Sequence, residues 1–93
     1  MKAIWNDTVL AESDETMLVE GNYYFPPDSI NRRYFKESER HTTCPWKGEA
    51  SYYTIEIDKK EYQNGAWYYP EPKEKARHIK DYVAFYRDVK ITE

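Results

Sequence analysis

Three glycines, one cysteine and two histidines are all that this 93-residue chain has of the residues that make flexible loops, disulfides and soft metal sites. The single cysteine excludes an intramolecular disulfide. The start Met1-Lys2-Ala3-Ile4-Trp5-Asn6 lacks the apolar core of a secretory segment, so a reducing cytoplasm is the expected setting. No stretch approaches the ~20 apolar residues of a membrane helix, and no membrane partner is expected. His41, Cys44 and His78 match no known ligand spacing, so neither a metal nor another cofactor is expected. The net charge is -3, and no basic run exceeds two residues. Nucleic-acid binding calls for a clustered positive footprint, so it is not expected. The largest basic grouping is Arg32, Arg33 and Lys36.

What is present in quantity is aromatic. Rings make up 17% of the chain, ten of them tyrosines, beside 33% charged residues. A charged chain of low hydropathy invites the reading of disorder, but disordered segments are poor in rings because they cannot bury enough apolar surface to offset chain entropy. Each buried ring removes roughly 150–250 Å² from water. Here rings must stand in for the scarce Leu, Val and Ile of the core. The length suits one domain, residues 1–93, with one modest core.

Strand signals dominate along the chain. Ala3–Trp5, Thr8–Glu12 and Thr16–Glu20 read as strands. Asn6-Asp7 is a turn, and the short polar Ser13-Asp14-Glu15 favours a hairpin between the second and third strands. Gly21-Asn22 is a turn, and Tyr23–Phe25 is extended up to Pro26. Asp28-Ser29 is placed to cap a helical turn over Ile30–Phe35. Lys36–Thr43 is polar and reads as an exposed connection. Glu49–Ile57 is the clearest strand, with Ser51, Tyr53, Ile55 and Ile57 on one face and Ala50, Tyr52, Thr54 and Glu56 on the other. Asp58-Lys59-Lys60 turns the chain, Asn64-Gly65 signals a turn or bulge, and Ala66–Tyr69 is a strand. Pro72 suits the first position of a helix over Lys73–Asp81, with Ala76, Ile79 and Val83 on one stripe. Tyr82–Tyr86 ends that helix or starts a strand, and Asp88–Thr92 is the last strand.

Five stretches carry a resemblance. They are Leu10–Ser13, Val19–Pro26, Thr43-Cys44-Pro45-Trp46-Lys47-Gly48-Glu49-Ala50-Ser51-Tyr52-Tyr53, Ala66-Trp67-Tyr68-Tyr69-Pro70-Glu71-Pro72 and Ile79–Tyr86. In this order they resemble the small bacterial family called domain of unknown function 427, which also carries a nucleotidyltransferase label. The resemblance implies a β-tent-like fold: mainly β, two antiparallel sheets meeting at an angle, and here one short helix in the C-terminal half. Related folds include zinc-bound chaperone-like proteins, methionine sulfoxide reductases and the ligand-binding domain of cereblon. Many of these hold zinc with two Cys-x-x-Cys knuckles, which this sequence lacks. It also lacks the Gly-Ser signature and paired aspartates that nucleotidyl transfer on two metals requires.

Each candidate residue has two readings. Cys44 is either a nucleophile, activated by Lys47 or His41, or a small buried hydrophobe. Lys47 either meets an anion at a pocket rim or is a solvated turn lysine. Trp5, Trp46 and Trp67 either line one cage, suited to a cation or a flat imide or base, or fill the core. Arg32 either clamps a carboxylate or phosphate or packs its stem on a ring. Glu20, Tyr24, Arg32 and Tyr69 are the polar groups expected to converge on these loops.

The leading expectation is a small-molecule ligand in an aromatic pocket built from Tyr24, Trp46, Trp67 and Tyr69, with Arg32, Cys44 and Lys47 as further contacts. An enzyme using Cys44 or acting on a nucleotide, and a homodimeric interaction module, are the alternatives.

Overall fold

The computed structural model describes residues 1–93 and is mainly β. In chain order the strands are β1 (Lys2–Trp5), β2 (Thr8–Glu12), β3 (Met17–Val19), β4 (Asn22–Tyr24) and β5 (Phe35–Cys44). They continue with β6 (Gly48–Ile57), β7 (Lys60–Tyr68), β8 (Val83–Phe85) and β9 (Lys90–Thr92). The strands form three antiparallel sheets: β2-β1-β9, the hairpin β3-β4, and β5-β6-β7-β8. This corrects the two-sheet expectation. Ser13–Glu15 does not close a hairpin: β2 pairs back with β1, and β3 pairs forward with β4. The β3-β4 hairpin then meets the large sheet at one bridge, where Phe25 and Val83 exchange both backbone hydrogen bonds at 2.8 Å. Pairing goes no further, so the hairpin remains a separate sheet.

Turn chemistry explains the hairpins. Asn6 and Asp7 both take positive φ between β1 and β2, the conformation that matches strand twist in a two-residue turn. Glu20 and Gly21 do the same between β3 and β4, at φ 51° and 82°. The turn therefore sits one residue earlier than the Gly21-Asn22 pair suggested. Glu20 is strained there, because a side chain with Cβ disfavours this region.

The segment read as a connection, Lys36–Thr43, is the edge strand β5. Its polarity fits that position: it pairs only with β6, and a register irregularity lies between Glu37 and His41. Charge and irregularity are what protect an open edge from pairing with other chains. Asn64-Gly65 is an irregularity inside β7, which runs on to Tyr68 instead of ending there. Gly65 is required, because a Cβ would lie 2.7 Å from Tyr62 ring atoms.

Helix is confined to three short 3-10 segments, Pro27–Ser29, Arg32–Tyr34 and Glu74–Ile79. The first two replace the helical turn expected over Ile30–Phe35, and no side chain caps them. The third replaces the expected Lys73–Asp81 helix. In 3-10 geometry residues i and i+3 eclipse, which aligns the fully buried Ala76 and Ile79. Val83 leaves that stripe for β8.

The large sheet separates two apolar clusters. Tyr53, Ile55, Ile57, Ala66, Val83 and Phe85 face β1-β2, where Ala3 and Leu10 meet them. Ala50, Tyr52, Tyr69 and Ala84 face the other way, covered by Tyr24, Ala76 and Ile79. The β6 alternation assigns these faces, since neighbouring side chains point to opposite sides. Full burial of a residue such as Leu10, Phe25 or Ile55 contributes roughly 1.5–3 kcal/mol each.

Candidate functional site

Several of the sequence candidates meet on the second face of the large sheet. The three-residue turn Pro45-Trp46-Lys47 joins β5 to β6 and brings Lys47 over that face. Lys47 is only 6% exposed. Its Nζ lies 5.3 Å from the Trp46 ring centroid and 5.6 Å from that of Tyr69. It donates to Oε1 of Glu20, on the strained β3-β4 turn. Trp46 Nε1 donates to Glu20 Oε2 at 3.3 Å. The Glu20 side chain thus ties two hairpin turns together, a partnership that helps to hold its left-handed backbone in place.

The turn is also pinned from behind. Lys73 N donates to Lys47 O at 2.9 Å, and Lys73 Nζ donates to Pro45 O at 2.8 Å. Gly48, at φ 111°, lets the Glu71–Lys73 backbone approach, where a Cβ would come within 3.3 Å of Glu71 O.

Electrostatics follow from this packing. Burial alone would lower the Lys47 pKa. The hydrogen bond to Glu20, with smaller help from nearby Tyr24, Tyr69 and Cys44, outweighs it and holds the ammonium above its ordinary 10.5. Hydrogen bonds from Lys47 and Trp46 hold the Glu20 carboxyl below 4.5. Burial pushes the Tyr69 phenol up to about 12, against the pull of Lys47. Lys47 is therefore a charged, partnered side chain inside the fold. It is neither a solvated turn lysine nor a free anion contact.

A cavity of about 490 Å³ opens beside this knot, at Trp67. Its origin lies in the fold. Past the Phe25–Val83 bridge the hairpin and β8 part company, and Gly21, Asn22 and Tyr23 form one lip while Phe85, Tyr86 and Arg87 form the other. Val89 and Ile91 close the cavity toward the last strand. Trp67, from β7, contributes its ring between the lips. Its Nε1 donates to Tyr24 Oη at 3.2 Å, and its ring meets Tyr86 at 4.7 Å between centroids. Tyr86 is fixed by its backbone: its N–H donates to Gly65 O at 2.9 Å, and its O accepts from Val89 N at 3.0 Å.

A second row of side chains flanks Tyr86. Tyr52 stacks on it with planes 10° apart, and the two hydroxyls lie 3.5 Å from each other. Thr42 Oγ1 is 2.8 Å from Tyr52 Oη, and the Arg40 guanidinium sits 5.2 Å from the Tyr52 ring centre. Burial, then the Tyr52 hydrogen bond, pushes the Tyr86 phenol up to about 12. The Tyr86 phenol is therefore neutral at pH 7, while at Tyr52 burial is outweighed by hydrogen bonds from Thr42 and Tyr86 and by the Arg40 charge, which pull that phenol below its ordinary value.

The structure brings Tyr24, Cys44, Trp46, Lys47, Trp67 and Tyr69 to one face of the sheet and leaves Arg32 out. Arg32 sits exposed in its 3-10 segment, with no ion pair or side-chain hydrogen bond to that group. Tyr24 and Tyr69 are buried and support the site from below. The three tryptophans form no common cage: Trp5 stacks on Tyr62 against the first cluster, with centroids 5.9 Å apart. Cys44 is half-buried against the second cluster. His41 lies on the opposite face, 3.2 Å from Ser51 Oγ, and cannot activate the thiol. Asn22, Tyr86 and Arg87 line the cavity and were not among the sequence candidates. The available signal was the Tyr82–Tyr86 apolar run, which ends in a charged turn. No three His, Cys, Asp or Glu side chains converge in a metal-holding group.

The family model NTP_transf_9, described as a domain of unknown function (DUF427), matches residues 1–93. The chain belongs to this family. No curated protein matches it.

Proposed function

We propose that this member of the DUF427 family binds a small, flat molecule in the cavity at Trp67. One observation carries the reading. An apolar cavity of about 490 Å³ opens on the edge of a Trp67–Tyr86 ring pair held from both sides, by Tyr24 and by Gly65. Ligand sites are commonly concave, of about 300–1,000 Å³, and walled by apolar and aromatic groups with few polar ones. Rigid rings lose little entropy on binding, so stacking against them favours a planar guest. The binding surface of this reading differs from the one the sequence suggested. Trp67 stays, Tyr86 joins it, and Lys47 with Glu20 becomes the brace that fixes the neighbouring hairpin. Nothing in this reading draws on the nucleotidyl-transfer name, because the grouped carboxylates that such chemistry places on metals are not assembled here.

The test is a thermal-shift screen with nucleosides, cyclic imides, quaternary amines and aromatic acids and amides. A ligand at 100 times its dissociation constant adds about 2.7 kcal/mol, which is a rise of roughly 10 °C or more for a domain of this size. A hit abolished by Tyr86→Ala supports the reading. Tyr86 is 41% exposed, so its loss leaves the fold standing. Hits that persist in Tyr86→Ala, or no hit across all classes, would sink it.

A further inference from the structure

Resting on that reading, we infer that the guest is a planar aromatic carboxylate, with its ring at Trp67 and Tyr86 and its acid group on Arg87. The cavity has one charged lining side chain, Arg87, and no acidic one. That is notable in a chain whose acids outnumber its bases, 17 to 14. Arg87 is also uncommitted. The four ion pairs present join Met1 to Asp14, Lys36 to Glu56, His41 to Glu49 and Lys47 to Glu20. Of the neighbouring cations, Lys47 is neutralised by Glu20, and Arg40, whose charge reaches Tyr86, lies over the Tyr52 ring and does not line the cavity.

The number of charges selects the class. A guanidinium fork matches one carboxylate through two parallel hydrogen bonds. A phosphate monoester at neutral pH brings more charge than one arginine answers, and the cavity holds no second cation to answer it. A quaternary amine, attractive to the rings alone, meets a like charge at the lip. The amide of Asn22, on the facing lip, makes no side-chain hydrogen bond within the protein and is free to reach a polar ring substituent or the second carboxylate oxygen. The two lips thus present a cation and a neutral amide across a slot with aromatic walls.

The experiment uses matched probes on the full chain: 2-naphthoate with 2-naphthamide, and indole-3-acetate with indole-3-acetamide. Dissociation constants come from calorimetry at low salt. A charge-assisted pair should favour each acid over its amide by about tenfold. Arg87→Met should remove that preference while leaving amide binding intact, and Arg87→Lys should restore part of it. Tyr86→Ala should weaken acid and amide alike. Equal affinity for acid and amide overturns the inference and leaves the aromatic cavity as a binding site. An acid preference that survives Arg87→Met overturns it as well, by placing the charge contact elsewhere. Saturable binding of none of the four probes overturns the inference together with the reading beneath it.

Discussion

The indole N–H of Trp67 donates to the hydroxyl of Tyr24 at 3.2 Å, with the two rings edge-on at 89°. Tyr24 is fully buried, while Trp67 keeps part of its ring at the cavity. The pair therefore links core to site. Trp67→Phe keeps an aromatic ring but removes the donor, leaving a buried hydroxyl short of a partner. The expected loss is about 1–3 kcal/mol in urea unfolding. Tyr24→Phe should cost less, about 0.5–1.5 kcal/mol, and the double variant should cost less than the two together. Strict additivity would show that the hydrogen bond does not couple the rings.

The Glu20–Lys47 pair makes stability depend on pH in a defined direction. The Glu20 pKa is lowered below 4.5, so its contribution is complete above pH 4.5 and is lost as pH falls through the depressed value. The Lys47 pKa is raised above 10.5, so its contribution is complete below pH 10.5 and is lost as pH rises through the raised value. Glu20→Gln should lower Tm by a constant amount between those limits. The difference from the wild type should shrink in acid, where both carry a neutral group. A Tm gap of the same size at pH 2.5 and pH 7 would rule out the ion pair as its source.

Gly65→Ala should destabilise the fold. The new Cβ would lie 2.7 Å from Cγ and Cδ2 of Tyr62 and 3.1 Å from Ile55 Cδ1. Cγ is the rigid base of the ring and cannot swing aside as a chain end would. Overpacking of this kind costs about 1–3 kcal/mol, or roughly 4–8 °C of Tm per kcal/mol. Because Gly65 O anchors Tyr86, ligand affinity should fall too. An unchanged Tm in differential scanning calorimetry would refute the contact.

Cys44 should behave as a packing residue. It is half-buried against the cluster that contains Tyr24 and Tyr69, and its face excludes His41. Labelling by an aromatic disulfide should be several-fold slower in the native protein than in the unfolded chain. Cys44→Ser, which places a hydroxyl among apolar neighbours, should cost about 1–3 kcal/mol. Equal labelling rates in the two states would restore the thiol as a candidate nucleophile.

Strands with strong alternation were legible from the residues alone. Ser51 to Ile57 showed both faces of the large sheet, and the aromatic count foretold a core built on rings such as Tyr24, Phe25 and Tyr53. Pairing was harder to read. The two-residue turns at Asn6-Asp7 and Glu20-Gly21 send Thr8–Glu12 backward and Met17–Val19 forward, but the polar Ser13–Glu15 offers a competing hairpin, and burial on the far side of the fold decides between them. Lys36–Thr43 was misread for the same reason: an edge strand needs charge where an inner strand needs apolar side chains. Lys47 was expected at a pocket rim, but its surroundings turned on Glu20, 27 residues earlier. Arg87 carries no local signature. Only the parting of β4 from β8 gives it a cavity to line.

Ala3 pairs with Ile91, so nearly the whole sequence lies between two neighbours in one sheet. Such a contact carries the full entropy of closing a long loop before it returns any stabilisation. The β1-β2 hairpin leaves the ribosome before β9 and must then wait for it. Until then one edge of β1 is an unpaired ladder, open to another nascent chain. We expect β1 and β9 to order last in refolding. Pulse-labelled hydrogen exchange would detect this as late protection of the β1 amides that face β9, after β6 and β7 are already closed. Early protection there would mean that the two chain-distant strands find each other before the central sheet forms.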